Sequence, residues 1–125
     1  MKTIQIQRKK QFRSALVPYW IIAGVSKEEF MRSMGFEGDV VPHNEIGQAI
    51  PRIDISVLDQ LGMRIENGQT IVLEAEEDVT SLFASTMDGT LSNEILLPPA
   101  GEAKVLITTA GGWTNVSYPV LEFSE

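Results

Sequence analysis

The stretch that decides the fold runs from Met63 to Thr109 and reads MRIENGQTIVLEAEEDVTSLFASTMDGTLSNEILLPPAGEAKVLITT. Short apolar segments alternate there with polar residues, and three turn sequences separate them: Asn67-Gly68, Asp88-Gly89 and Pro98-Pro99-Ala100-Gly101. Segments of this length between such turns are typical of antiparallel strands. This part of the chain therefore predicts an all-β fold.

Further strands are predicted on both sides of this stretch. Thr3–Gln7 alternates, with Ile4 and Ile6 on one face, whereas Ala15–Ile22 carries apolar residues on both faces. Trp113–Phe123 forms the last strand, in which Pro119 indicates an edge position or a bulge. The total of seven or eight strands predicts an antiparallel two-sheet β-sandwich, with residues 1–125 as a single domain.

The segment 25–62 interrupts the strands and predicts one short helix. Ser26 and Glu29 have the spacing of a capping box, so a helix is expected over Lys27–Met34, ending at Gly35. Ile53–Leu61 fits either a strand or a helical turn. Because Ala15–Ile22 is apolar on both faces, we expect this insertion to cover its second face.

Two of the turns also predict a register. A three-residue loop at Glu66-Asn67-Gly68 would pair Ile65 with Gln69 and Met63 with Ile71, which places the apolar side chains on one face.

At Asp88-Gly89 a two-residue loop is expected instead. It pairs Thr86 with Leu91 and Leu82 with Ile95, placing these leucines and the isoleucine on the inner face with Leu97. Phe83 then remains as an isolated exposed aromatic on the outer face.

Composition and charge narrow the possible partners. The net charge of −7 opposes binding to phosphate backbones, so no nucleic-acid partner is expected. No apolar run reaches the roughly 20 residues of a membrane helix, and no membrane partner is expected. The chain has no cysteine, which suits the reducing cytoplasm.

The charge is unevenly divided along the chain. Residues 1–64 hold nine of the ten Lys and Arg against seven acids, while residues 65–125 hold ten acids and only Lys104. A basic edge of one copy could therefore meet an acidic edge of another. The basic residues concerned are those of the connection after the first strand: Arg8, Lys9, Lys10 and Arg13.

No catalytic, cofactor or metal signature accompanies these strands. His43 is the only histidine, which excludes metal motifs with two histidines, and nucleophile-elbow and phosphate-loop patterns are missing. Glu74 and Glu76 share a predicted strand face and could accept Ca²⁺ only if a second loop donated oxygens. The acidic run Glu74–Asp78 is better explained as a solvated strand end.

The aromatic residues divide into buried and exposed sets. Tyr19, Trp20 and Tyr118 are expected in the core. Trp113, beside two glycines, and Phe83 are the two aromatics expected at the surface, where they could contact a partner or a sugar.

Two segments resemble a known family of domains. The order VPYWIIAG over Val17–Gly24, then IENGQT over Ile65–Thr70 and the turn Pro98–Gly101, is similar to small bacterial β-sandwich domains of the carboxypeptidase-regulatory-like or PEGA type. The resemblance covers roughly residues 1–24 and 63–109 and implies a non-catalytic accessory or binding module. The insertion 25–62 departs from that pattern, and no functional residue is carried over.

The function expected from these observations is non-enzymatic protein–protein association, with a homo-oligomer as the first choice. Its interaction surface would include Phe83 and Trp113 as well as the basic connection. The alternative is a ligand- or carbohydrate-binding module in which Trp113 and the insertion 25–62 form a pocket. A hydrolase that uses a pair of carboxylates is a third hypothesis.

Overall fold

Strands dominate the part of the chain that the computed structural model describes, residues 1–11, 17–33, 55–87, 90–110 and 118–124. The strands are β1 (Lys2–Arg8), β2 (Tyr19–Ala23), β3 (Gly62–Ile65), β4 (Thr70–Ala75), β5 (Ser81–Ser85), β6 (Ile95–Leu96), β7 (Gly101–Ala110) and β8 (Tyr118–Phe123). The helices are α1 (Lys27–Ser33) and α2 (Ile55–Leu61). Sheet 1 has the order β4-β1-β7-β8 and sheet 2 the order β3-β2-β5-β6. The predicted two-sheet β-sandwich is confirmed.

One strand pair departs from the antiparallel arrangement. β1 and β7 are parallel neighbours, with Lys2 opposite Gly101 and Arg8 opposite Ile107. All other paired strands of the described residues are antiparallel. Parallel neighbours require a long connection, and here most of the chain lies between the two strands. Local turns could not have indicated this pairing.

The main core lies between the two sheets. Ile4 and Ile6 of β1 are fully buried there, as alternation predicts, together with Tyr19 and Ile21 of β2. The other face of β2 is also buried, through Trp20 and its neighbour Ile22. The prediction of a strand buried on both faces is confirmed for the described part of that segment, and Pro18 lies just before the strand.

Both helices cover the outer face of sheet 2. The side chains of Phe30 in α1 and Leu58 in α2 pack in one buried cluster with Trp20 and Ile22. The N-cap is confirmed, since the backbone N–H of Glu29 donates to Ser26 Oγ at 3.1 Å. Ile53–Leu61, which fitted either structure, is helical over Ile55–Leu61. The prediction that the insertion covers the second face is confirmed.

Phe83 contradicts its predicted exposure. Its side chain is 0% exposed and meets the ring of Phe30 edge to face, with centroids 5.4 Å apart. The helix-bearing insertion lies on the sheet face that was expected to be polar and solvated. Phe83 is therefore part of the second core.

The predicted hairpin at Asn67-Gly68 is wrong. β3 belongs to sheet 2, where Ile65 pairs with Tyr19, while β4 belongs to sheet 1, where Thr70 pairs with Gln7. The turn itself is present, because Gln69 N–H donates to Glu66 O at 3.0 Å and Gly68 has a φ of 78°. A tight turn constrains the local backbone but leaves open which strands become neighbours.

The register after β5 is partly confirmed. Leu82 pairs with Ile95 as predicted, but Ser85 lies opposite Leu91, one residue out of the expected register. An extra residue is therefore accommodated as a bulge between these two pairs. The hydroxyl of Ser92 supports it by accepting a 2.7 Å hydrogen bond from Ala84 N–H.

This bulge reverses the orientation of Leu91. Its side chain packs with the cluster under the helices, whereas it was predicted on the inner face with Leu97. A one-residue shift moves a strand side chain to the opposite face. Asp88 and Gly89 lie outside the described residues.

The last strand lies at an edge of sheet 1, as Pro119 indicated. Tyr118 is 42% exposed there, so its prediction as a core residue is wrong. Within β8 the inward positions belong to Pro119 and Leu121, because Leu121 faces the core opposite Ile107. Tyr118 belongs to the alternate, outward positions of this strand.

Candidate functional site

Only some of the residues predicted to form an interaction surface are exposed. Arg8 is 1% exposed and Phe83 is fully buried, so neither can contact a partner. Lys9 and Lys10 are exposed, as expected. Trp113, Arg13 and His43 lie outside the described residues.

Arg8 is buried because it continues the inward face of β1. Its guanidinium lies 3.8 Å from the ring centroid of Tyr19, and Nη1 donates to Ile65 O at 3.1 Å. Burial lowers the pKa of Arg8, while Tyr19 and Glu66 act in the opposite direction. This arginine is a structural group that joins β1 to sheet 2.

Lys2 has the same role at the other end of β1. Its side chain is fully buried, and Nζ donates to Val79 O and, at 2.9 Å, to Pro98 O. Both carbonyls belong to connections that close this end of the sandwich. The signal was available in the sequence, since residues 2, 4, 6 and 8 share one face of an alternating strand.

The acidic side chains at the end of β4 and directly after it are exposed, as predicted for a solvated strand end. Thr3 Oγ1 donates to Glu74 Oε1 at 3.3 Å, and the N-terminal ammonium lies 3.4 Å from Glu77 Oε1. Among the described residues, no three acidic or histidine side chains are arranged to hold a metal ion.

A groove of about 720 Å³ crosses the outer face of sheet 1 and continues to its junction with sheet 2. The strand register places two lines of outward residues on this part of the sheet, and all of them except Glu74 line the groove. In one line Gln5 lies between Val72 and Lys104. In the other, Thr3 lies between Glu74 and Glu102. With strands about 4.8 Å apart, the outer members of each line are separated by about 10 Å.

Exposed apolar side chains gather around this groove. Val72 is 54% exposed on β4, Leu96 75% on β6 and Phe123 49% on β8, and all three line the groove together with Leu97 and Pro98. Single exposed hydrophobic residues are common, but several that line one concave surface indicate a binding site. The sequence did not indicate this group, because three separate strands contribute to it.

The polar lining groups can form hydrogen bonds and ion pairs with a bound molecule. Thr3, Gln5, Glu102 and Lys104 offer a hydroxyl, an amide, a carboxylate and an ammonium group. Glu102 is the one carboxylate among the described lining residues, whereas the hydrolase hypothesis requires two. The groove can thus hold apolar groups at its ends and hydrogen-bonding groups in its middle.

Comparison with known proteins adds no relative to this picture. No family model, no curated protein and no solved structure matches the chain. The likeness to carboxypeptidase-regulatory-like or PEGA domains therefore stays a prediction. Neither α1 nor α2, the helices of the described residues, has the length and apolar character needed to cross a membrane.

Proposed function

We propose that this protein is a non-enzymatic β-sandwich that works through protein–protein association, with copies of itself as the partner. The observation that carries the proposal is the gathering of Val72, Leu96 and Phe123 around one groove. The opposite charge balance of the two halves of the chain supports a second copy as the partner. The lack of cysteine supports action in the reducing cytoplasm.

The apolar groups can supply the energy of such a contact. Complete burial of one exposed Leu, Val or Phe side chain contributes about 1.5–3 kcal/mol. Three such groups together offset part of the entropy lost when two chains associate. Leu96 is the most exposed of the three, so it should contribute most when a partner covers it.

The test compares Leu96→Asp with Leu61→Asp by size exclusion with light scattering. Leu61 is 41% exposed at the end of α2, on the helix-covered side of the molecule, which makes it a matched control. We expect the wild type and L61D to exceed the 13.8 kDa of one chain at high micromolar concentration, and L96D to remain monomeric. Circular dichroism checks that both variants fold.

Two results would contradict the proposal. One is a wild-type protein that stays monomeric at every concentration tested. The other is an L96D variant that folds and associates as strongly as L61D.

A further inference from the structure

The two ends of β1 carry opposite charge. The acidic end comprises Glu74, Glu76, Glu77, Asp78 and Glu102, which lie near the start of β1. The basic end comprises Lys9 and Lys10, which directly follow the strand. The seven residues of β1 separate these ends by about 20 Å, beyond the Debye length of about 8 Å at physiological salt. A partner that binds at one end of β1 therefore interacts with the charges of that end and is largely screened from those of the other.

Few of these charges are neutralised within the chain. The N-terminal ammonium contacts Glu77, at 3.4 Å and largely exposed. Within the described parts of the chain, Glu76, Asp78 and Glu102 form no ion pair, and neither do Lys9 and Lys10. Both ends are thus available for pairing with another molecule.

The groove brings its apolar groups together with the carboxylate of Glu102 and the ammonium of Lys104, and Glu74 lies beside it. Glu74 and Glu102 lie on either side of Thr3 on the outward face. Val72 lies beside Glu74 on the same face of β4, two residues away. A lysine side chain fits such a surface, because its methylene stem can cover apolar groups while its ammonium reaches a carboxylate.

We propose that the groove of one copy receives the Lys9-Lys10 segment of a second copy, with Glu74 and Glu102 as the acceptors of the two ammonium groups. This inference rests on the proposed self-association and specifies the surfaces that meet. The occupant follows from charge complementarity. At the groove's end of β1 the five carboxylates of the acidic end outnumber the ammonium groups of Lys104 and the N-terminus. At the other end, Lys9 and Lys10 are exposed and form no ion pair within the described residues.

Two charge-reversal variants test the contact. Glu74→Lys with Glu102→Lys makes the groove border positive, and Lys9→Glu with Lys10→Glu makes the basic end negative. We expect each variant alone to lose self-association by at least about tenfold in the apparent constant, because like charges then face each other. An equimolar mixture of the two should associate again, since one supplies a native groove and the other a native lysine segment.

The matched control for the groove variant is Glu28→Lys with Glu29→Lys, which raises the net charge by the same amount on exposed positions of α1. It should associate like the wild type. If the reversal variants associate normally while L96D does not, the lysine assignment is overturned and self-association through the groove stands. A folded mixture that stays monomeric also overturns the assignment. A wild type that never associates overturns both proposals.

Discussion

Lys2 and Arg8 occupy inward positions at the two ends of β1, where an alternating strand normally carries apolar side chains. Each donates to backbone carbonyls of a connection: Lys2 to Val79 and Pro98, Arg8 to Ile65. Hydrogen bonds from a charged donor are stronger than neutral ones and partly compensate the cost of burial. The flat guanidinium of Arg8 also stacks on Tyr19, whose hydroxyl lies 2.7 Å from Thr109 Oγ1.

The first prediction concerns Arg8. Arg8→Ala should lower the free energy of unfolding by about 2–4 kcal/mol, because it removes the bond to Ile65 O and leaves a cavity against Tyr19. Arg8→Met keeps much of the volume and removes the desolvated charge, so it should cost less than Arg8→Ala. Urea unfolding measures both. Equal stability of Arg8→Ala and the wild type would contradict a structural role for this side chain.

The guanidinium of Arg8 should not make the free energy of unfolding depend on pH near neutrality. Burial lowers the pKa of Arg8 below its ordinary value, so the unfolded chain binds the proton more tightly than the folded one. Stability would rise with pH only close to that depressed pKa, where arginine begins to lose its proton. At neutral pH the guanidinium is charged in both states.

Among the elements, β8 lies at an edge of sheet 1, where free backbone groups could pair with a strand of another chain. Ser124 N–H donates to Lys104 O, so the backbone groups of Leu121 point away from β7. The side-chain amide of Asn93 takes the place of a neighbouring strand there. Its Oδ1 accepts from Leu121 N–H and its Nδ2 donates to Leu121 O, both at 2.9 Å. Occupied edge groups cannot pair with another chain.

The second prediction concerns this amide. Asn93→Asp keeps the shape of the side chain but replaces the donor to Leu121 O with a second acceptor. We expect a loss of about 1–3 kcal/mol in the free energy of unfolding and faster hydrogen exchange at Leu121 N–H. Gln7→Glu is the control, since it makes the same amide-to-acid change at an exposed position of β1. Similar effects of the two changes would argue against the bridging role of Asn93.

At the scale of the whole molecule, the two sheet faces differ in how they are covered. Helices α1 and α2 bury the outer face of sheet 2 through Phe30 and Leu58. No described helix lies over the outer face of sheet 1, which carries the groove. Helices of the same chain bury the outer face of sheet 2. The apolar side chains around the groove remain exposed and can contact a second molecule. The proposed association follows from this asymmetry.

The third prediction concerns how the stability of the protein depends on its concentration. Because only the folded chain presents the groove, association should stabilise it by mass action. Each tenfold rise in protein concentration should then add up to about 1.4 kcal/mol, and the thermal midpoint of unfolding should rise with it. In L96D the midpoint should be independent of concentration. A wild-type midpoint that is equally insensitive would count against self-association.

Particular residues show which features of the structure could be predicted from the amino-acid sequence. The strand periodicity of Ile4 and Ile6, the N-cap at Ser26 and the positive φ of Gly68 were all predictable, and the structure contains each of them. These features depend on neighbours within a few residues, because turn geometry, capping and alternation are local. Leu91 was not predictable in the same way, since the bulge that reverses its orientation depends on a hydrogen bond between two strands, from Ala84 N–H to the hydroxyl of Ser92.

The candidate site was largely hidden from sequence reasoning. Lys9 and Lys10 were predicted as part of an interaction surface and are exposed, but Phe83 and Arg8 are buried. The groove depends on Val72, Leu96 and Phe123, which belong to strands of both sheets. That these strands line one groove depends on the parallel pairing of β1 with β7 and on the separation of β3 from β4 into different sheets.

By itself, then, the sequence determined an all-β sandwich, the turns between its strands, the helix after Ser26 and the opposite charge of the two halves. Short-range sterics, hydrogen bonding and hydrophobic periodicity are sufficient for these. The tertiary structure alone decided which strands became neighbours, which sheet face the helices cover and where exposed apolar groups gather. Those choices depend on burying the largest apolar area over the whole chain, and no local segment contains that information.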